Sequence, residues 1–233
     1  MSTVVAVDGP SGSGKSSVSR AVARRLGLAY LDTGAMYRAA TWWCLDQGVP
    51  LTDGESVAAA VRALPLVMGV DPERPAVVVD GRDVGAAIRT TEISSRVSAV
   101  ATNLEARAEL GRRQREIIDA ERTGGWSGGR GVVAEGRDIT TVVAPDADVR
   151  VLLTADEAAR LARRARELHG TDDAAAIAAT HDQVVRRDAD DSTVVQFHVA
   201  ADGVVTVDSS HLDLEQTVDA VLGVVARATA PRA

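Results

Sequence analysis

One glycine-rich segment carries the only lysine of this 233-residue chain. The segment runs from Gly9 to Ser16, reads G-P-S-G-S-G-K-S and matches the phosphate-loop pattern G-x-x-x-x-G-K-[ST]. Arginine supplies every other basic side chain. An ammonium is a compact charge on a flexible stem, whereas a guanidinium is a planar fork that needs more room. The composition therefore indicates that position 15 requires a lysine.

The residues around this segment predict a strand before it and a helix after it. Residues 3–7 are apolar and mostly β-branched, and residues 15–26 carry apolar side chains at helical spacing. Glycines in the loop let the backbone turn its N–H groups inward, and the N-terminus of the following helix adds its partial positive charge. The predicted polyphosphate cradle comprises Gly9, Pro10, Ser11, Gly12, Ser13, Gly14, Lys15, Ser16 and Ser17. The alternative is a tight turn with a solvated Lys15 and Ser16 as a helix cap.

Composition narrows the class of protein. A chain with 45% hydrophobic residues is long enough for one α/β core with appended subdomains. It has no apolar run of membrane-spanning length and no leader pattern, which predicts a soluble, cytoplasmic protein without a membrane segment. The net charge of −7 argues against nucleic-acid binding. The four histidines lack metal-ligand spacing, so no zinc site is predicted.

Alternating strand and helix patterns predict a doubly wound, parallel, five-stranded α/β sheet with ligands at its carboxyl edge. Core strands are expected at residues 3–7, 29–31, 132–134, 149–153 and 204–207. Helices are expected at residues 15–26, 36–45, 92–118, 156–168, 174–187 and 214–226. Between them, turn signals separate short apolar runs at 66–70, 76–79 and 83–84, which predict a small antiparallel sheet.

A phosphate loop alone fits kinases, switch GTPases and motor ATPases. The guanine-recognition motif of GTPases, Asn-Lys-x-Asp, needs an asparagine followed by a lysine. The only asparagine is Asn103 and the only lysine is Lys15, so this motif is absent. A regulatory GTP switch is therefore excluded.

Further motifs, in order along the chain, make it resemble the bacterial cytidylate kinases. They are D-T-G-A-M-Y-R at 32–38, I-R at 88–89, E-G-R-D at 135–138 and R-D-A-D-D-S at 187–192. Together with the phosphate loop, the match extends from residue 4 to about residue 227. The resemblance implies a nucleoside-monophosphate kinase fold and transfer of the γ-phosphate of ATP to CMP or dCMP. It also implies Mg²⁺ as the metal, with Ser16 as its ligand.

The resemblance assigns residues around the acceptor. It places Arg38 and Arg137 at the CMP phosphate, and makes Thr33 a further CMP-binding residue. It places Ser98, Arg107 and Asp138 around the cytosine, and Arg187 and Asp191 at the sugar. Chemistry agrees, because arginine forks fit a phosphomonoester and a carboxylate accepts from an exocyclic amine. The alternatives are Arg38 as a solvated surface charge and Asp138 as a turn cap.

Arg160, Arg163 and Arg164 share one face of a predicted helix because they lie three and four residues apart. The resemblance assigns this helix to a lid over ATP, and makes these arginines, with Lys15 and Arg137, the candidate catalytic residues. The alternative is an exposed basic stripe, which is electrostatically unfavourable without an anion.

The resemblance implies a single P-loop kinase domain over residues 1–233. The expected core comprises residues 1–31, 132–155 and 203–233. The CMP-binding region spans 32–131, with an insertion at about 64–100, and the helical lid and sugar-contacting region spans 156–202.

One segment departs from the family pattern. The family commonly has an arginine at the position of Val194, and a Pro-Leu pair where this chain has Gln196, Phe197 and His198. The contact of that arginine is therefore absent or supplied by a neighbour such as Arg186. The preference between CMP and dCMP stays open.

The expected reaction needs no general base, because a phosphate oxygen of CMP is already anionic at neutral pH. ATP, CMP and dCMP are the expected partners of a monomer. Two alternatives remain: a kinase of the same architecture for UMP, shikimate or a cofactor precursor, and a non-catalytic ATP-binding regulatory module.

Overall fold

The protein folds into a parallel five-stranded sheet covered by helices, with a small second sheet at one side. The computed structural model describes residues 2–230, apart from the side chains of residues 182 and 183. The strands are β1 (Thr3–Asp8), β2 (Ala29–Asp32), β3 (Leu66–Gly69), β4 (Ala76–Val79), β5 (Arg82–Asp83), β6 (Gly131–Gly136), β7 (Val149–Thr154) and β8 (Val205–Asp208). The helices are α1 (Lys15–Leu26), α2 (Thr33–Asp46), α3 (Gly54–Arg62), α4 (Thr91–Arg96), α5 (Ser98–Ala101), α6 (Leu104–Thr123), α7 (Glu157–His169), α8 (Ala174–Ser192) and α9 (Leu214–Thr229).

The central sheet has the strand order β2-β6-β1-β7-β8, and every pairing in it is parallel. Alternate residues of β1 supply two separate cores, because successive side chains of a strand point to opposite faces. Val4 and Ala6 pack in one core with α2 and α6, and Val5 and Val7 pack in the other with α1 and α9. The prediction of a five-stranded parallel α/β sheet is confirmed.

The small antiparallel sheet, β3-β4-β5, is also confirmed, within a residue of the predicted strand ends. Asp80 and Gly81 form its hairpin turn with φ values of 49° and 72°. Positive φ at both central residues is the geometry that an Asp-Gly turn favours. Next to this sheet, Val70 accepts a 2.8 Å hydrogen bond from the N–H of Tyr30 in β2. The insertion is thus attached to the edge of the central sheet.

The helix predicted at 92–118 is wrong as a single element, because the structure divides this region into α4, α5 and α6. The break before α6 is made by Asn103, whose side-chain oxygen accepts from the backbone N–H groups of Glu105 and Ala106. Such an N-cap satisfies orphan donors at a helix start. The helix α3 was not predicted. Its nine residues include three alanines, and its cap, Asp53, accepts from Ser56.

Three loops bring the candidate site together at the carboxyl edge of the central sheet. They follow β1, β2 and β6, the strands that hold the middle and one side of the sheet. Helices α7 and α8 cover this edge from outside. Across residues 2–230, no helix is both long enough and apolar enough to cross a membrane.

Candidate active site

A cleft of about 190 Å³ lies between the phosphate loop and a group of arginines. The loop residues that line it are Ser11, Gly12, Gly14, Lys15, Ser16 and Ser17. Gly9, Pro10 and Ser13 are buried beneath it. The arginines on its other sides are Arg38, Arg89, Arg137, Arg164 and Arg187. The structure therefore places the predicted phosphate cradle and the predicted acceptor arginines around one space.

The loop backbone depends on glycine at two positions. Gly14 precedes α1 with φ at 90°, and Gly12 has φ at 76°, both in the left-handed region that favours glycine. A Cβ at Gly12 would also lie 2.4 Å from the carbonyl oxygen of Arg160 in α7. The loop can thus pass directly beneath the helix that the sequence predicts to be a lid.

Lys15 is half-buried at the start of α1, and its Nζ donates a 2.9 Å hydrogen bond to the carbonyl of Pro10. Burial lowers its pKa to about 8, while the negative charge of Glu135 partly opposes the shift. Desolvation disfavours the ammonium unless an anion is nearby. Burial therefore weakens the hold of Lys15 on its proton, and a bound polyphosphate would oppose that effect.

Glu135, at the end of β6, is a site residue that the sequence analysis named only as part of a motif. Its Oε1 accepts hydrogen bonds from the hydroxyls of Ser16 at 2.5 Å and Tyr30 at 3.1 Å. Burial, and then the charge of Asp32, raise the pKa of Glu135. The Glu135 carboxylate and the Ser16 hydroxyl thus place oxygen ligands side by side at the loop, and Asp32 lines the same cleft. This chemistry fits Mg²⁺, which binds through oxygen ligands.

Three arginines, which we call the acceptor arginines, stand opposite the loop: Arg38, Arg137 and Arg187. Arg38 donates to Asp32 at 3.0 Å, and the Nε of Arg187 lies 3.9 Å from Asp191. Burial and the charges of its arginine neighbours lower the pKa of Arg187 to about 9. The Nε atoms of Arg38 and Arg187 are buried without a hydrogen-bond partner in the described part of the chain. Excess positive charge and unused donors make this side of the cleft an anion site.

Arg137 is held by two carboxylates of α8. Its Nη1 donates to Asp188 at 2.7 Å, and its Nε lies 2.7 Å from Asp191. Asp188 also accepts from Arg160 and from the backbone N–H of Ser11. Burial would raise the pKa of Asp188, but these partners outweigh burial and hold the pKa below its usual range. Asp188, which was not predicted as a site residue, thus joins the loop, the lid helix and Arg137.

Two of the residues predicted to contact cytosine, Arg107 and Asp138, line a smaller pocket of about 40 Å³ that opens beside Arg137. An ion pair joins Arg107 to Asp138, and the Arg107 guanidinium lies 5.5 Å from the centre of the Tyr37 ring. Burial raises the pKa of Asp138, and Arg107 opposes that rise. Tyr37 also lines this pocket, although the sequence analysis did not name it as a site residue. Its position in the motif at 32–38 was the signal that could have identified it. Thr33 and Asp191 also line the pocket.

Ser98 lies outside this smaller pocket. It begins α5 and lines a neighbouring recess with Arg186 and Arg187, while Val97 and Ala101 from the same turn line the pocket of Asp138. The structure thus brings Arg107 and Asp138 together but leaves Ser98 beside them. Its predicted contact with cytosine stays a prediction.

The three arginines of α7 point to three different surroundings. Arg164 lines the cleft and pairs with Glu167 at 2.7 Å. Arg160 donates to Asp188 and, at 2.9 Å, to the carbonyl of Ser11. Arg163 donates to the hydroxyl of Ser209 at 2.9 Å, and burial lowers its pKa. The position of Arg164 in the cleft therefore supports a phosphate-binding role. Arg160 and Arg163 instead attach α7, the lid helix, to the loop and to the end of β8.

A phosphate loop on a parallel sheet, facing an arginine-lined anion site, defines a P-loop phosphotransferase. The sequence profile of the cytidylate kinase family matches residues 5–227. A cytidylate kinase of Nocardia farcinica is 49% identical over 231 residues, covering 96% of this chain and 94% of that protein. Those of Cutibacterium acnes and Streptomyces avermitilis are 49% and 46% identical over 223 residues. Each alignment covers 95% of this chain, with 95% and 92% of the respective relative. The chain belongs to the cytidylate kinase family, as its motifs predicted, and is an ATP-dependent phosphotransferase.

Proposed function

We propose that this protein transfers the γ-phosphate of ATP to CMP, producing CDP and ADP. The observation that carries the proposal is one cleft with two anion sites, the loop around Lys15 and the acceptor arginines opposite. A kinase that joins two phosphates needs both sites within reach of each other, because alignment supplies much of its rate enhancement. The relatives named cytidylate kinase support CMP as the acceptor.

On the donor side, the backbone N–H groups of the loop and the ammonium of Lys15 hold the β- and γ-phosphates. Ser16 and Glu135 would hold Mg²⁺, which when bound neutralises charge on these phosphate oxygens. Lys15 binds as the protonated ammonium. Burial lowers the pKa of this group, and the negative charge of bound ATP would stabilise the ammonium.

On the acceptor side, Arg38, Arg137 and Arg187 hold the CMP phosphate with one oxygen facing the γ-phosphorus. That oxygen forms the new P–O bond, and the bond between the γ-phosphorus and the oxygen shared with ADP breaks. No side chain has to remove a proton, because the attacking oxygen is already anionic. Arg164 neutralises charge on the transferring group. Closure of the lid helix excludes water, which would otherwise accept the phosphoryl group.

The smaller pocket lined by Arg107 and Asp138, which we call the cytosine pocket, recognises the base. The carboxylate of Asp138 accepts from the exocyclic amine of cytosine, which uracil lacks. The sugar lies towards Asp191 and the side of Arg187 away from the phosphate, and dCMP is proposed as a second acceptor because the cytidylate kinase motifs are retained. Every side chain in this scheme comes from the same chain, which suits a monomer.

A panel of acceptors tests the proposal. Purified protein with ATP and Mg²⁺ is given CMP, dCMP, UMP, AMP, GMP and shikimate in turn, and ADP formation is measured beside the product nucleotide. We expect CMP and dCMP to give one ADP per diphosphate, with UMP weaker and the others inactive. ATP binding without transfer to any acceptor would contradict the proposal and favour a regulatory ATP-binding module.

A further inference from the structure

The chain contains one phenylalanine, Phe197, and it lies against Arg137. Phe197 follows α8 in a segment without regular secondary structure, yet its side chain is fully buried. The Cζ atom of Arg137 lies 4.5 Å from the centre of the ring. A cation within about 6 Å of a ring centroid is attracted by the negative face of the aromatic ring. The distance between Arg137 and the ring is thus well within the range of a cation–π interaction.

The ring completes an enclosure around the Arg137 guanidinium. Asp188 and Asp191 bind Nη1 and Nε, which are two of its three nitrogen positions. The face of the Phe197 ring lies against Cζ at the centre of the group. The remaining nitrogen, Nη2, has no partner among these contacts, and Arg137 lines both the main cleft and the cytosine pocket. Among the described residues, the arrangement thus leaves the N–H donors of Nη2 without a partner, on a guanidinium whose rotation these contacts restrain.

Helix α8 and the segment behind it provide this whole enclosure, since Asp188, Asp191 and Phe197 are close in sequence. Arg137 follows β6, in the rigid sheet. The segment is also where the chain departs from the family pattern at Val194. A planar cation held at two edges can still tilt about the line that joins them, and only contact with its face opposes that tilt.

We propose that Phe197 is a positioning residue for Arg137, which orients the guanidinium plane so that Nη2 meets the phosphate of the acceptor. This inference rests on the proposed function, in which Arg137 binds the CMP phosphate. A ring that only fills space would stabilise the fold through its size. A ring that orients Arg137 acts through the negative charge on its face, and that charge can be weakened with only a small change in the size of the ring.

Because Phe197 is the only phenylalanine, fluorinated analogues supplied to a phenylalanine-requiring host replace this one ring and no other. The series comprises 4-fluoro-, 3,5-difluoro- and 3,4,5-trifluorophenylalanine, which progressively weaken the cation–π interaction. We expect kcat/KM for CMP to fall stepwise along the series, by about three- to tenfold in total. KM for ATP should stay constant, and thermal unfolding should confirm that each protein is folded.

A constant kcat/KM for CMP across the series would overturn the inference, because the ring would then act through packing alone. If the unsubstituted protein leaves CMP unphosphorylated, the proposed function fails first and this inference falls with it. The two failures are therefore distinct.

A pair of substitutions gives an independent test. Phe197→Leu keeps a buried apolar side chain but removes the ring, and should lower kcat/KM for CMP by about three- to tenfold. Val195→Ala is the matched control, because it removes buried apolar volume from the same segment without removing a ring. It should lower the unfolding temperature and leave kcat/KM for CMP within about twofold. An equal kinetic loss in both variants would overturn the inference.

Discussion

The phosphate loop takes its binding groups from residues 9–17 alone, whereas the acceptor arginines come from α2, the turn after β6 and α8. In the loop, backbone N–H groups and one ammonium suffice, and two left-handed glycines set the shape. On the acceptor side, the three guanidinium groups are brought together from distant parts of the chain, and Arg137 is held by Asp188, 51 positions away. The loop is a local structure, and the acceptor site is a tertiary one.

The phosphate loop and the acceptor site also differ in their electrostatics. Lys15 is one cation whose pKa burial lowers, and one bound anion reverses that effect. The acceptor arginines repel each other, and burial with that repulsion lowers the pKa of Arg187. Asp188 contacts both sites, because it accepts from Ser11 in the loop and from Arg137. Mutations can therefore separate the two sites or show that they are coupled.

The largest effect is expected for Lys15→Arg, which keeps the charge but enlarges the group in the half-buried loop. We expect phosphoryl transfer to fall about 10³-fold, because alignment and electrostatic stabilisation are lost together. Steady-state kinetics measure it. Arg25→Lys, on the exposed side of the same helix, is the control and should be silent. Near-normal turnover in Lys15→Arg would remove Lys15 from the donor site.

Arg137→Ala tests the acceptor site on its own. Losing the guanidinium should lower kcat/KM for CMP about 10²- to 10³-fold, because a charge-assisted contact and the alignment of the acceptor are lost. The affinity for ATP, measured by calorimetry, should change little. Arg74→Ala, whose side chain is 89% exposed, serves as the control. An equal loss of ATP affinity would move Arg137 to the donor site.

Asp138→Asn tests how the acceptor site distinguishes cytosine from uracil. The amide can present a donor to the carbonyl of uracil, where the carboxylate can only accept. The ratio of kcat/KM for CMP to that for UMP should shrink by about 10- to 100-fold, mostly through lost CMP activity. The exposed Asp119→Asn is the control. An unchanged ratio would show that cytosine is recognised elsewhere, and Arg107 and Ser98 would be tested next.

Asp188→Asn tests whether the two sites are coupled. The substitution keeps the shape of the side chain but removes the charge that Arg137 and Arg160 share. We expect the affinities for both ATP and CMP to fall about tenfold, since hydrogen bonds to charged groups contribute about 1.5–3 kcal/mol. Asp146→Asn, at an exposed pair, is the control. If ATP binding stayed unchanged, Asp188 would serve the acceptor site only.

The smallest effect is a pH dependence at Lys15. Its pKa of about 8 should rise when ATP binds, so ATP prefers the protonated form. That form becomes scarcer as the pH rises through about 8, and the dissociation constant for ATP should rise by up to about fourfold between about pH 7 and pH 8.5. Calorimetry over this range measures the change. Lys15→Arg, whose charge persists, should give a flat profile, and a flat profile in the natural protein would contradict the low pKa.

Several features could be read from the sequence because their causes are local. The phosphate loop needs only its own glycines and the strand and helix beside it. The hairpin at Asp80 and Gly81 follows from the turn that this pair favours. Asn103 carried a signal that was missed, since asparagine is a preferred N-cap and it does start α6. The motifs at 32–38 and 135–138 indicated the family, which the matching relatives then confirmed.

Other features depended on which distant residues meet. Arg160, Arg163 and Arg164 share a helix face in sequence, yet Arg160 contacts Asp188 of α8, Arg163 contacts Ser209 after β8, and Arg164 pairs with Glu167 of its own helix. Arg137 and Asp188 are 51 positions apart in the chain and 2.7 Å apart in space. Spacing along a chain determines local conformation through backbone geometry. The orientation and charge state of a buried guanidinium depend on its neighbours in space, and those were decided only when α8 packed over the edge of the sheet.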